Sequence, residues 1–221
     1  NSFTVWNAGA DSLFGILDFV FLLLFYKTKK PIYLFLLGFC LSVATTIHFQ
    51  AGLLAPIGLV ALFVDKPKLK NILSLALGGV IPLFPFLYFD LRFDWFETMR
   101  IWDFFTVGQY RIYVPNRWLT YAGVYWPTTW GAVIGGNIWI GGLLIGLVSI
   151  FFVWNLRNFS KMKKFYLVAI SFALIVLVYR YHRGERFFYY SNYSHPAVIL
   201  LSGWVIYQVY KLKWFLGVLL G

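Results

Sequence analysis

Long apolar runs alternate with short polar connections over this 221-residue chain. The runs fall at about 12–26, 31–47, 51–64, 71–89, 133–154, 165–179 and 196–210, and another begins near Trp214. Their lengths, and the absence of strict two-residue alternation, predict helices. The expected fold is all-α. It is a polytopic membrane helix bundle of about seven transmembrane helices plus a truncated eighth, forming a single transmembrane domain over 1–221. The run 51–64 has only 14 residues. At 1.5 Å per residue it covers roughly 21 Å, short of a ~30 Å hydrocarbon core. The run 31–47 is also short, so the turn between them, His48-Phe49-Gln50, is expected below the outer surface. Non-helical backbone at that depth must line protein or a water-filled cavity. A recessed cavity opening outward is therefore predicted.

The longest connection, 90–130, begins FDLRFDWFETMRIWDFF. On a helical wheel Trp95, Phe96, Met99, Trp102 and Phe105 share one side, and Asp94, Glu97 and Arg100 the other. This predicts a helix lying in the outer interface, either as a plain anchor or as a lid over a site. Pro115 and Pro127 are expected to break regular structure beyond it. Trp118, Tyr121, Tyr125, Trp126 and Trp130 are expected to form an aromatic belt. Gly131, Gly135, Gly142 and Gly146 are spaced by 4, 7 and 4, which predicts one helix face open to close packing.

Composition sharpens this picture. Hydrophobic residues make up 61% of the chain, charged residues 12% and aromatics 22%, with a mean hydropathy of +0.73. A soluble domain is nearer half apolar and a quarter charged, so a soluble fold is excluded. The chain opens on Asn1 without a basic n-region, so no signal peptide is visible, and it closes inside an apolar run. Both ends read as cuts in a larger membrane protein. The single cysteine, Cys40, excludes an internal disulfide and a Cys-based metal site and reads as a small core residue.

The net charge of +11 would suit nucleic acid in a soluble protein. Here its distribution reports topology instead. Alternate connections carry Lys27, Lys29 and Lys30; Lys66, Lys68 and Lys70; Arg157, Lys161, Lys163 and Lys164; and Lys211 and Lys213, against one acid, Asp65. The positive-inside rule makes these cytoplasmic. The other side carries Arg92, Arg100, Arg111, Arg117, Arg180, Arg183 and Arg186 and no lysine. A planar guanidinium grips phosphate or carboxylate at two points. The outer side therefore reads as an anion-recognition face, or as arginine suited to an interface.

Ionisable groups inside a membrane are costly and mark function by default. Asp18 lies inside the first run, about 10 Å below its outer end if the helix starts near residue 11. It faces the cavity or bonds a neighbouring helix. Asp11 reads as a helix cap. His48 and Gln50 sit at the recessed turn. Asp90 and Arg92 close the fourth run and either pair or orient the loop over the cavity. Arg183, Glu185 and Arg186, then Tyr189, Tyr190, Asn192, Tyr193 and His195, form the densest polar stretch, YRYHRGERFFYYSNYSHP. Its density exceeds what packing needs, although Glu185 could simply neutralise an arginine. Asn192-Tyr193-Ser194 also fits a glycosylation sequon. No Walker loop, zinc-type His pair or Ser/His/Asp motif is present.

Three segments together, SFTVWNAGADSLFGILDFVFLLLFYK, TTIHFQAGLLAPIGLVALFVDKPKLK running into IPLFPFLYFDLRFD, and ERFFYYSNYSHPAVILL, resemble the GT-C membrane glycosyltransferases. Within them the chain is similar to the dolichyl-phosphate-mannose protein mannosyltransferase and lipid A aminoarabinose transferase group, nearest to bacterial relatives of unassigned acceptor. The resemblance implies transfer of a sugar, with inversion, from a polyprenyl phosphate to a glycan, lipid or protein acceptor at the outer face of the plasma membrane. It implies an acidic base in a first outer loop, which would lie upstream of residue 1, so no catalytic residue is assigned here. It names no certain cofactor, but in some members a divalent metal ion helps neutralise the leaving phosphate. Carried onto this chain, it implies donor binding by Arg183, Arg186, Tyr189, Tyr190 and His195, with His48, Gln50, Asp18, Asp90 and Arg92 lining the cavity. Membrane lipid is an implied partner and nucleic acid is not.

Three rival readings remain. A polymerase or ligase of lipid-linked glycans would use similar outer arginines. A secondary transporter would show internal repeats and broken helices. A structural subunit would not need an all-Arg outer side.

Overall fold

The computed structural model describes residues 8–107, 117–180 and 188–220, and every element among them is helical. Helix α1 runs Ala8–Thr28 and α2 Ile32–Ile47. A 3-10 turn, Phe49–Leu54, leads into the short α3, Ala55–Phe63, which Pro56 opens from its first turn. Helix α4, Leu69–Arg92, continues through Pro82 and Pro85. Helix α5 is Phe96–Thr106. A short α6, Arg117–Thr120, passes through a π-turn, Tyr121–Tyr125, into α7, Trp126–Val133. Helix α8 spans Ile138–Trp154 and α9 Lys163–Tyr179. The 3-10 turn Phe188–Ser194 leads into α10, His195–Leu220.

Most of the apolar runs coincide with helices. The run 196–210 and the one beginning near Trp214 share the single helix α10, which continues through Lys211 and Lys213. The expected turn there and a separate eighth helix are therefore not formed. The run 133–154 is interrupted before Ile138. The connections sort to two ends. At one end the Lys29 Nζ donates to the Val64 carbonyl at 3.4 Å and the Ser74 hydroxyl to the Pro31 carbonyl at 2.6 Å. These bonds join the α1–α2 corner to the end of α3 and the start of α4. At the other end Ser12 Oγ donates to the Asn192 carbonyl at 3.0 Å, and the Phe49 and Phe104 rings meet at 5.5 Å. The lysine-bearing turns 28–31 and 64–68 therefore lie opposite the turns 48–54, 93–95 and 188–194.

Among the described residues one helix, α4, is by itself long and apolar enough to cross a membrane. The segments Trp118–Val133 and Ile138–Trp154 pass the same test together, but they are bent by 97° at the break between them. Helix α4 is also largely uncovered: along its apolar window only 6% is buried, and Leu73, Leu77, Val80, Ile81 and Phe84 point outward. Such a surface marks a contact with lipid or with another protein chain. Its one intimate neighbour is α2. There Gly38 faces the Leu75 carbonyl and Gly78 the Phe35 carbonyl so closely that a Cβ at either would overlap backbone. Ser42 Oγ reaches the Gly79 carbonyl at 2.5 Å. Packing through small residues is how apolar helices associate where no hydrophobic difference from lipid drives them.

The remaining helices enclose an aromatic core of Phe19, Phe25, Phe165, Tyr166, Tyr179 and Tyr193, all essentially unexposed. Tyr121, Trp126 and Trp130 belong to it as well, at 3%, 5% and 2% exposure. This corrects the aromatic belt. Only Trp118 of that group is prominent outside, while Trp130 Nε1 donates to Ser202 Oγ at 2.7 Å in the interior. The reason is Pro127. It lacks an N–H and would crowd the carbonyl four residues back, and the wider π-turn just before it takes up that misfit. The Trp126 N–H reaches the Tyr121 carbonyl, five residues back. The segment therefore stays helical where the proline suggested a break.

The glycine stripe is corrected too. Helix α7 ends at Val133, Gly135 has φ +74, and Asn137 caps α8 by accepting from the Trp139 and Ile140 N–H groups at 3.1 Å each. The four glycines cannot share a face across that corner. Close approach instead uses Gly131, against the Asn137 carbonyl, and Gly141, against the Pro127 carbonyl.

Candidate functional site

The end opposite the lysines collects the candidate residues through backbone that departs from α geometry. Helix α2 stops at His48, whose φ of −147° and ψ of 108° are extended, and the 3-10 turn after it brings Gln50 inward to 6% exposure. This turn packs against the 3-10 turn Phe188–Ser194. That second turn lies on α1, where Gly15 faces the Tyr193 carbonyl and Ser12 bonds Asn192. The recessed turn and the end of the Arg/Tyr stretch are thus neighbours. Arg183, Glu185 and Arg186 lie outside the described residues. The backbones of Tyr189 and Tyr190 belong to the 3-10 turn, and their side chains lie outside what is described.

Asp18 sits one turn beneath Gly15. Helix α1 begins at Ala8, so the depth is about 15 Å rather than 10 Å. Its side chain is unexposed, and neither carboxylate oxygen has a hydrogen-bond partner among the described residues. The Gln50 Oε1 is in the same position. Cys40 of α2 lies within electrostatic range of Asp18. A polar group buried without a partner costs about 1–3 kcal/mol, so this feature opposes stability. The His48 ring stacks on Phe49 at 5.9 Å, and burial lowers the His48 proton affinity below the ordinary value.

His195 takes a different position. With Ser12, Ile16, Thr129, Val133 and Pro196 it lines an open cleft of about 430 Å³ between α1, α7 and α10. Ser12 and Ile16 lie roughly 120–160° around α1 from Asp18 at 100° per residue. His195 and Asp18 therefore do not share one pocket.

Asp90 is unexposed and fully engaged. Its two oxygens accept from the Glu97 N–H at 2.8 Å and the Thr98 N–H at 3.1 Å. It thus satisfies orphan amides at the start of α5 across a corner where Asp94 and Trp95 hold φ of +53° and +60°. Arg92 is exposed and forms no ion pair with it. Helix α5 leaves Phe96, Met99 and Trp102 exposed, as expected of an interfacial face, while Trp95 sits in the corner before it; the Phe105 side chain lies outside what is described. Phe104 packs on Phe49, so α5 leans over the recessed turn.

Sequence reasoning missed the hub around the π-turn. The Tyr125 and Tyr179 hydroxyls meet at 3.3 Å, Tyr121 donates to the Val176 carbonyl, and the Arg180 guanidinium lies 3.8 Å over the Trp118 ring. The spacing of Tyr121, Tyr125, Thr129 and Val133 is the helical signal that Pro127 masked. Among the described residues no three His, Cys, Asp or Glu side chains come together to hold a metal ion. The metal of the resembled family therefore finds no donor set there. Comparison with known protein families, characterised proteins and solved structures returns no match to this chain.

Proposed function

We propose that the chain is a multi-pass part of a plasma-membrane glycosyltransferase, with seven spans and its lysines inside. It would transfer a sugar from a polyprenyl-phosphate donor to an acceptor at the extracytoplasmic face. The observation that carries the reading is the meeting of the two 3-10 turns, 49–54 and 188–194, at the lysine-free end. The second turn directly continues the stretch that holds Arg183 and Arg186. Forked guanidinium groups suit a lipid phosphate. Fixed positive charge at a water-poor interface stabilises that phosphate as it departs. Tyrosine and tryptophan faces suit a sugar ring. In this reading Arg183 and Arg186 bind the phosphate, Tyr189, Tyr190 and His195 lie along the donor, and the base is supplied by residues not assigned here. Arg183→Ala with Arg186→Ala should lower transfer from a lipid-linked sugar in membrane vesicles by at least tenfold. Unchanged transfer would overturn the assignment.

A secondary transporter is the second reading. The 97° break between α7 and α8 and the buried Asp18, whose carboxylate has no hydrogen-bond partner among the described residues, favour it, because transporters use broken helices and buried acids near the bilayer midplane. Solute flux into vesicles without glycosyl transfer would select it.

A further inference from the structure

The lysine end carries a second concentration of unexplained features. The helices α2 and α4 both begin there, side by side, joined by the Ser74–Pro31 bond. Neither has a side-chain cap at Pro31 or Lys68, although the Tyr33, Leu34 and Asn71 N–H groups are already taken by the Lys30, Pro31 and Lys68 carbonyls. Their N-terminal amides and dipoles favour an anion. Around them lie the exposed Lys27, Lys29, Lys30, Lys66, Lys68 and Lys70. Lys29, at φ +58, is tied to the end of α3 through Val64. The sole acid, Asp65, is occupied by Lys68 at 2.8 Å and by the Lys66 N–H at 3.0 Å. Five lysines are left without a carboxylate. In the first turn of α4, on the side that faces α2 with Ser74 and Gly78, stands Asn71. It is 2% exposed, and its Oδ1 has no partner among the described residues. Turned over, the same carboxamide presents an N–H donor instead of an acceptor.

We propose that this lysine-ringed pair of helix starts binds the headgroup of an acidic phospholipid of the cytoplasmic leaflet. The phosphate sits between the starts of α2 and α4, held by Lys29, Lys30, Lys66 and Lys70, with Asn71 beneath it. The acyl chains lie along the exposed flank of α4, where Leu69, Ile72 and Leu73 continue directly from the headgroup site. That continuity favours a lipid over a free anion. The bound lipid also bridges α4 to α2, the helix it packs on. This inference rests on the chain being membrane-embedded and not on its catalysing transfer.

Native mass spectrometry of the purified protein tests it, with phosphatidylglycerol, phosphatidylcholine and inorganic phosphate as probes. Phosphatidylglycerol should be retained at least tenfold over phosphatidylcholine. Retention should fall by about fivefold for each lysine removed, to near the phosphatidylcholine level in Lys29→Gln, Lys30→Gln, Lys66→Gln, Lys70→Gln. The exposed Lys161→Gln, Lys163→Gln, Lys164→Gln protein should retain it as the parent does. Equal retention of the two lipids, or an unaffected quadruple variant, overturns the proposal. So does displacement of the lipid by millimolar phosphate, which would mean a site for the free anion. Release of the protein from membranes by alkaline carbonate would instead defeat the membrane reading itself.

Discussion

The two ends of the helical bundle are built on opposite principles. At the lysine end the turns 28–31 and 64–68 are short, their cations are exposed and their one acid is paired on the surface, while the basic connection 155–162 contains a 3-10 turn of its own, Leu156–Lys161. At the other end the turns are 3-10 and π segments, and they draw Asp18, Gln50, Ser191 and Ser194 out of contact with solvent. An exposed lysine contributes little to stability. A buried acceptor without a donor lowers it. The lysine end is organised by topology and charge, with one buried acceptor, Asn71 Oδ1, left without a partner among the described residues. The opposite end holds two such side chains, Asp18 and Gln50, a stability cost that function would explain.

Breaking that contrast is most direct where backbone meets backbone. Gly15→Val would force α1 off the Tyr193 carbonyl, and Gly78→Val would force α4 off Phe35. Each should cost about 3 kcal/mol, the upper part of the overpacking range, in thermal unfolding in detergent. Gly146→Val has open space around it and should change stability by less than ~0.5 kcal/mol. Asp18→Leu should act in the other direction. Removing an unpartnered buried carboxyl should raise stability by about 1–3 kcal/mol while abolishing whatever activity the acid serves. A loss of stability would mean that the carboxyl has a donor in the native protein.

Smaller effects separate the two ends further. Trp130→Phe removes the donor to Ser202 and should cost about 1–2 kcal/mol. Asp90→Ala removes both amide bonds at the start of α5 and should cost about 1 kcal/mol. Hydrogen exchange should then quicken over 96–106 and not over α2. His48 gives the smallest effect. Burial lowers its folded proton affinity, so the unfolded chain binds the proton first. Stability from this group is complete above the ordinary histidine pKa of about 6.5 and falls as pH drops through it. The His48→Gln protein should lose that part of the pH dependence of its unfolding temperature.

Much of the lysine end was legible in the sequence, and little of the other. The lysine groups at 27–30 and 66–70 mark turns by composition alone, and the structure brings both to one end. The short runs 31–47 and 51–64 pointed to the turn between them, which the structure places at 48–54. Pro127 misled because a proline suggests a break, and only the folded chain reveals that a π-turn absorbs it. The close approaches at Gly15, Gly38, Gly78 and Gly141 depend on which helices become neighbours, which spacing along one helix cannot encode. The engagement of Asp90 with Glu97 and Thr98 required the left-handed corner at Asp94 and Trp95, which is improbable for those residue types until the tertiary fold imposes it.

The central claim is that the two ends face different compartments, with the 3-10 turns 49–54 and 188–194 on the extracytoplasmic side. Cys40 is the sole cysteine and is buried, so single exposed cysteines can be introduced on a quiet background. A membrane-impermeant maleimide applied to intact cells should label Asp94→Cys. It should label Lys66→Cys only after the membrane is opened. Labelling of both from the same side would contradict the account.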